Sequence, residues 1–71
     1  MRGYEILLKI GKQIQKARRQ KDISQEKLAD LVHIHRNHMG RIERGETNVP
    51  IYTFYKIVKA LKLKSSDFLP F

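Results

Sequence analysis

No cysteine and no tryptophan occur in the 71 residues, and proline appears only twice. The missing thiols exclude a disulfide framework, a thiolate zinc site and a cysteine nucleophile. A fold this small must then be held by packed side chains, with association between chains as a further source of stability. Long apolar runs are absent too, and nothing approaches the ~20 consecutive apolar residues that a membrane-spanning helix needs. Met1–Lys9 lacks the basic start, apolar centre and small-residue cleavage site of a secretory leader, so the expected location is cytoplasmic. Acidic side chains are scarce: seven Asp and Glu stand against fifteen Lys and Arg, a formal net charge of +8. Such a field attracts a polyanion, either nucleic acid or an anionic membrane surface. The length suits one domain, 1–71, and is too short for two cores.

What is present is helical periodicity. From Tyr4 to Lys21 the apolar residues Leu7, Ile10, Ile14 and Ala17 recur at helical spacing, with Lys9, Lys12, Lys16 and Arg19 off that stripe. Asp22-Ile23 breaks the pattern. Ser24 is a good N-cap for a short helix running from Gln25 to about Val32, and Glu26 complements its dipole. A third helix starts near His35 and reaches Arg44, where Gly45 supplies the freedom usual just past a helix end. Pro50 then marks the start of a fourth helix carrying Ile51, Phe54, Val58 and Leu61 on its apolar stripe. Ser65 can cap a last turn, Ser66–Leu69, before Pro70. The expected fold is all-α, a compact bundle of five short helices.

Two helices joined by a tight turn need a small residue where they cross and apolar residues that fix their angle. Gln25–Arg44 supplies both: Ala29 at the crossing, and Leu28, Val32, Ile34, Met39 and Ile42 as the apolar set. Here the chain resembles the Cro and phage-repressor-like helix-turn-helix family. Ile23-Ser24-Gln25-Glu26-Lys27-Leu28-Ala29 looks like that family's second-helix start, and Arg41-Ile42-Glu43-Arg44-Gly45-Glu46 like the end of its third. The resemblance spans about Ile10 to Leu69. Within the family, the short length and Arg36–Gly45 are most like the controller proteins of restriction-modification systems. The resemblance implies a transcription regulator that binds a palindromic double-stranded DNA operator as a homodimer, with RNA polymerase as a further candidate partner. Two positions depart from the family pattern. His33 stands where a turn glycine is usual, which predicts a strained or reshaped turn. His35 stands where Ser, Thr or Asp is usual, which predicts a weaker cap on the third helix.

If the third helix buries Met39 and Ile42, then Arg36, Asn37, Gly40, Arg41 and Arg44 are expected to face outward. An arginine fork matches the guanine edge in the major groove and Asn matches adenine, so Arg36, Asn37 and Arg41 are the candidate base readers. They also match the family's reading positions. Gln25, at a helix N-terminus, is placed to meet a phosphate, and His38, Arg44 and Asn48 flank the reading face as backbone contacts. The resemblance further implies a structural ion pair between Arg18 and Glu43. Large apolar residues crowd the last third of the chain, more than one helix and one turn can bury inward. This makes Tyr52, Tyr55, Phe68, Leu69 and Phe71 the candidate dimer interface.

Other readings use the same residues less well. His35 and His38 lie one helical turn apart, but no Cys or well-spaced acid completes a metal site, so no metal and no cofactor are expected. Ser24, Ser65 and Ser66 are better read as caps than as nucleophiles, so no enzyme is expected. Tyr4–Lys21 alone reads as a basic amphipathic helix suited to a membrane surface or a protein partner. Its apolar stripe, however, is needed to cover the core of a domain this small. A phage-type repressor, or an antitoxin-like module whose main partner is a protein, would use the same fold.

Overall fold

The computed structural model describes residues 3–63, which form four helices: α1 (Gly3–Gln20), α2 (Gln25–Val32), α3 (Arg36–Glu43) and α4 (Ile51–Leu61). The expected turn at Ser66–Leu69 lies outside the described residues. Local chemistry sets each boundary. Ser24 Oγ accepts the Lys27 backbone N–H at 3.0 Å, closing the first turn of α2. Past its last residue, His33 takes the left-handed conformation at φ 62°, and Ile34 N–H bonds back to the Ala29 carbonyl at 3.0 Å. This is the geometry glycine usually supplies, and histidine adopts it here at some conformational cost. Asp22 makes the same left-handed turn after α1, at φ 58°.

The cap on α3 differs from expectation. His35 itself fills the role: its Nδ1 accepts the Asn37 backbone N–H at 3.0 Å, the part a Ser or Asp oxygen usually plays. His35 and Arg44, expected as helical ends, are the N- and C-caps flanking α3. Gly45 follows at φ 72°, and Glu46 N–H returns to the Arg41 carbonyl at 2.9 Å.

The core is formed by Ile14 and Ala17 of α1, Leu28, Ala29 and Val32 of α2, Met39 and Ile42 of α3, and Phe54, Ile57 and Leu61 of α4. Ile10, Ile23, Ile34, Val49, Val58 and Ala60 pack around it. The stripe expected on α4 is corrected at one end. Ile51 is 82% exposed while Ile57 is fully buried, because the apolar face centres on Phe54, Ile57 and Leu61 and leaves the first residue after Pro50 turned away.

One close approach, absent from the sequence reading, fixes α1 against α3. A Cβ on Gly11 would lie 2.5 Å from the Glu43 carbonyl oxygen and 2.6 Å from that of Ile42. A Cβ on Gly45 would lie 2.8 Å from the Leu8 backbone. The two glycines let the end of α3 rest directly on α1, and this sets the angle at which α3 leaves the bundle.

Candidate nucleic-acid interface

The inner end of α3 is tied to α1 and α2 by one buried polar network. Arg18 donates Nε to Glu43 Oε2 at 2.8 Å and Nη2 to Oε1 at 3.1 Å, and its Nη1 donates to the Ile23 carbonyl at 2.8 Å. The Glu43 side chain is fully buried and that of Arg18 nearly so. Gln25 adds a third link, donating Nε2 to Glu43 Oε1 at 3.0 Å. No buried side-chain nitrogen or oxygen among the described residues lacks a partner. The network therefore joins the α1–α2 turn, the start of α2 and the end of α3 without an unsatisfied group.

Above this network opens a shallow cleft lined by Ser24, Gln25, Glu26, Arg36, Asn37, Gly40, Arg41 and Arg44. Arg36, Asn37 and Arg41 are exposed along α3, and Arg44 is exposed just past its end. Gly40 is corrected: it is buried, not outward, because the side chains of Arg44 and Gln25 roof it. A Cβ there would lie 3.0 Å from Arg44 Nη1 and 3.5 Å from Gln25 Oε1. Gln25 is half-buried, its amide already engaged by Glu43. His38 is half-buried, and Asn48 is exposed in the loop before α4, outside the cleft lining.

Two carboxylates with no expected role at the site, Glu26 and Glu46, meet the cleft's arginines. Glu26 Oε2 accepts from Arg36 Nη1 at 3.3 Å. Glu46 accepts from Arg44 Nε at 2.8 Å and from Nη2 at 3.3 Å. Hydrogen bonding from Arg44 lowers the Glu46 carboxyl below the usual glutamate range, with the charges of Arg44 and Arg41 adding to it and desolvation opposing. The same bond raises the Arg44 guanidinium. Glu46 follows Gly45 closely enough for the Arg44 contact to be foreseeable. The Glu26–Arg36 contact crosses the turn between two helices and has no local signal.

On α4, Tyr52 and Tyr55 are exposed and their rings stack at 6.3 Å. Lys56 and Lys59 lie over the two rings at 4.9 and 5.7 Å. Phe68, Leu69 and Phe71 lie outside the described residues. Among the described residues no group of His, Cys, Asp and Glu is placed to hold a metal ion, and no helix is long and apolar enough to cross a membrane.

Arginines and an asparagine on one helix, floored by a second helix's N-terminus, can bind phosphate oxygens and base edges. Residues 14–69 match the helix-turn-helix family. The chain belongs to this helix-turn-helix family. Within it, the chain is 40% identical over 67 residues to the control protein C.BamHI of Bacillus amyloliquefaciens, covering 93% of this chain and 83% of that one. Its fold is similar to that of the restriction-modification controller protein C.AhdI from Aeromonas hydrophila. The TM-score is 0.85 at 33% identity, over 89% of this chain and 96% of that one. The wild-type restriction-modification controller protein C.Esp1396I matches with a TM-score of 0.80 at 32% identity, over 89% and 82% of the two chains. The helix-turn-helix expected at Gln25–Arg44 is thus α2, the turn at His33–His35, and α3.

Proposed function

We propose that this helix-turn-helix chain is a sequence-specific double-stranded DNA-binding transcription regulator, a controller protein of a restriction-modification system that works without catalysis. The observation that carries the reading is the cleft in which the polar face of α3 and the N-terminus of α2 meet. In this reading α3 enters the major groove, where Arg36, Asn37 and Arg41 read bases. Gln25, His38, Arg44 and Asn48 hold the sugar-phosphate backbone. Because the Gln25 amide already bonds Glu43, its phosphate contact falls to the remaining amide N–H and to the backbone N–H groups opening α2. A phosphate held there bears on the buried network and so on the angle of α3.

The chain acts as one domain over 1–71 and as a two-fold dimer. Ile51, Tyr52 and Tyr55 leave one face of α4 open, and Ile51 at 82% exposure has no use in a monomer core. Phe68, Leu69 and Phe71, which lie outside the described residues, are candidates for the same interface. Two-fold symmetry sets the recognition helices about 34–36 Å apart, one turn of DNA, and requires a nearly palindromic operator. RNA polymerase is the partner through which the bound dimer acts, in the cytoplasm.

Selection of bound sites from a random duplex pool tests the docking, and a palindrome with half-sites one turn apart is the expected product. Alanine at Arg36, Asn37 or Arg41 should cost about 1–3 kcal/mol and relax preference at one base pair. An unchanged site preference in all three variants would defeat the orientation. Sedimentation at micromolar concentration should give twice the chain mass, and Tyr55→Glu should reduce it to one.

A further inference from the structure

Gly11, Gly40 and Gly45 each lie against a neighbour, and they are not alike. At Gly11 and Gly45 a Cβ would meet main chain, 2.5 Å from the Glu43 carbonyl oxygen and 2.8 Å from Leu8 Cα, so the fold itself requires glycine there. At Gly40 the nearest atoms are the ends of two side chains, Arg44 Nη1 at 3.0 Å and Gln25 Oε1 at 3.5 Å. Gly40 lies inside α3 and its φ is not positive, so neither its conformation nor helix packing calls for the poorest helix former after proline. Close approach of a DNA groove does not call for it either. Gly40 is buried, the exposed Arg44 lies over it, and a molecule docking on this face meets the guanidinium first. Glu46, outside the cleft lining, takes Arg44 Nε at 2.8 Å and Nη2 at 3.3 Å, which leaves Nη1 as the nitrogen laid over Gly40.

We propose that Gly40 is a positioning residue for DNA binding: its missing Cβ is the seat in which the Arg44 guanidinium lies, held ready in the cleft for a phosphate. The inference rests on the docking reading above, in which Arg44 holds the DNA backbone. A methyl group at Gly40 would press on Nη1 at 3.0 Å but meet Gln25 Oε1 only at ordinary contact, 3.5 Å, so Arg44 is the group that gives way. A flexible arm yields at little cost to the fold. Once out of its seat, however, it must be ordered again when DNA binds, and that ordering is subtracted from affinity. Every sequence offers the same phosphates, so the loss should not depend on the bases.

The test is a double-mutant cycle on the full chain: wild type, Gly40→Ala, Arg44→Ala and the two together. Fluorescence anisotropy gives the affinity of each for the duplex selected by the wild-type protein and for a scrambled duplex of equal length. Gly40→Ala should weaken both duplexes by about threefold, within the range of one exposed charge contact. In the Arg44→Ala background it should weaken neither. Its thermal midpoint should equal or exceed that of the wild type, since alanine suits a helix better than glycine. The same loss in both backgrounds would overturn the proposal, because Gly40 would then admit the DNA itself or set the angle of α3. No loss in the wild-type background would overturn it too, as would a lowered thermal midpoint, which would make Gly40 a packing residue. Arg44→Ala binding as tightly as wild type would also overturn it, since the seat would then hold nothing that meets DNA. Failure of the wild-type chain to bind any duplex would instead defeat the docking reading itself, and this inference with it.

Discussion

The two sides of α3 use the same chemistry, an arginine joined to a glutamate, under opposite conditions. On the inner side Arg18 and Glu43 are out of water, share two hydrogen bonds and have every remaining polar atom satisfied by Ile23 and Gln25. On the outer side Arg36–Glu26 and Arg44–Glu46 lie in solvent, each with more than half of its side-chain surface exposed. Identical groups thus become a fixed joint in one place and an exchangeable contact in the other. The buried pair cannot let go without stranding a charge, whereas the exposed pairs give up little when an outside anion competes. A DNA reader needs both: an angle that does not drift, and side chains free to leave the protein.

The sharpest way to break this comparison is to cut the inner pair from one side. Arg18→Ala leaves Glu43 buried with Gln25 as its remaining side-chain donor among the described contacts, and should destabilise the fold by about 3–5 kcal/mol in urea or thermal unfolding. Arg36→Ala, which removes an arginine from the outer side, should change stability by less than about 1 kcal/mol. Comparable losses in the two variants would mean that burial does not separate the pairs.

The inner joint depends as much on missing atoms as on charge. Gly11→Ala places a methyl group 2.5 Å from the Glu43 carbonyl oxygen. Backbone cannot move aside as a flexible side chain can, so the substitution should cost about 2 kcal/mol net, despite the helix preference for Ala over Gly. If α3 tilts instead of unfolding, duplex affinity should fall further than stability does, which would place the docking angle at this contact.

Much of this arrangement is legible in the sequence, and the limits have physical causes. Helix spacing and punctuation are local, so Ser24, Gly45 and Pro50 mark boundaries that the structure keeps. The Gln25–Arg44 pattern of small and apolar residues places the motif because its geometry admits few substitutes. The structure also brings together Arg18 and Glu43, 25 positions apart, a pairing suggested by the family resemblance alone. Three features had no such signal. Gly11 looks like a tolerated helix glycine until α3 is laid across it. Gly40 looks outward by periodicity, yet the side chains of Gln25 and Arg44 fold over it. Glu26 meets Arg36 only after the turn has reversed the chain. Each depends on what another element does, and local pattern is silent on that.

The cap at His35 gives an intermediate case, exposed yet structural. His35→Ala removes the acceptor for the Asn37 N–H and should cost about 1 kcal/mol, while His35→Asp should keep or improve stability by pairing an acid with the helix dipole. Hydrogen exchange at Asn37 reports the cap directly. Its protection should fall in the alanine variant and hold in the aspartate one. Equal protection in both would show that the first turn of α3 is held from the core side by Met39.

The smallest effect is expected at the outer rim, where Glu46 bonds Arg44. Because that bond lowers the Glu46 carboxyl in the folded chain, the folded state loses its advantage on acidification. The contribution is present above the ordinary glutamate range and disappears as pH falls through the lowered value. Its size is limited by water on every side of the pair and by salt, which screens exposed charges within about 10 Å at 0.1 M. A carbon-detected NMR titration of the Glu46 carboxyl should find it below an ordinary glutamate at low salt. Arg44→Ala should return it most of the way upward, and so, in part, should raising the salt in the wild-type chain. Glu43, sealed under Arg18, offers the counter-test: its carboxyl chemical shift at neutral pH should ignore salt over the same range. If Glu46 were equally deaf to salt, the rim pair would be shielded like the inner one, and the contrast between the two sides of α3 would reduce to a difference in position.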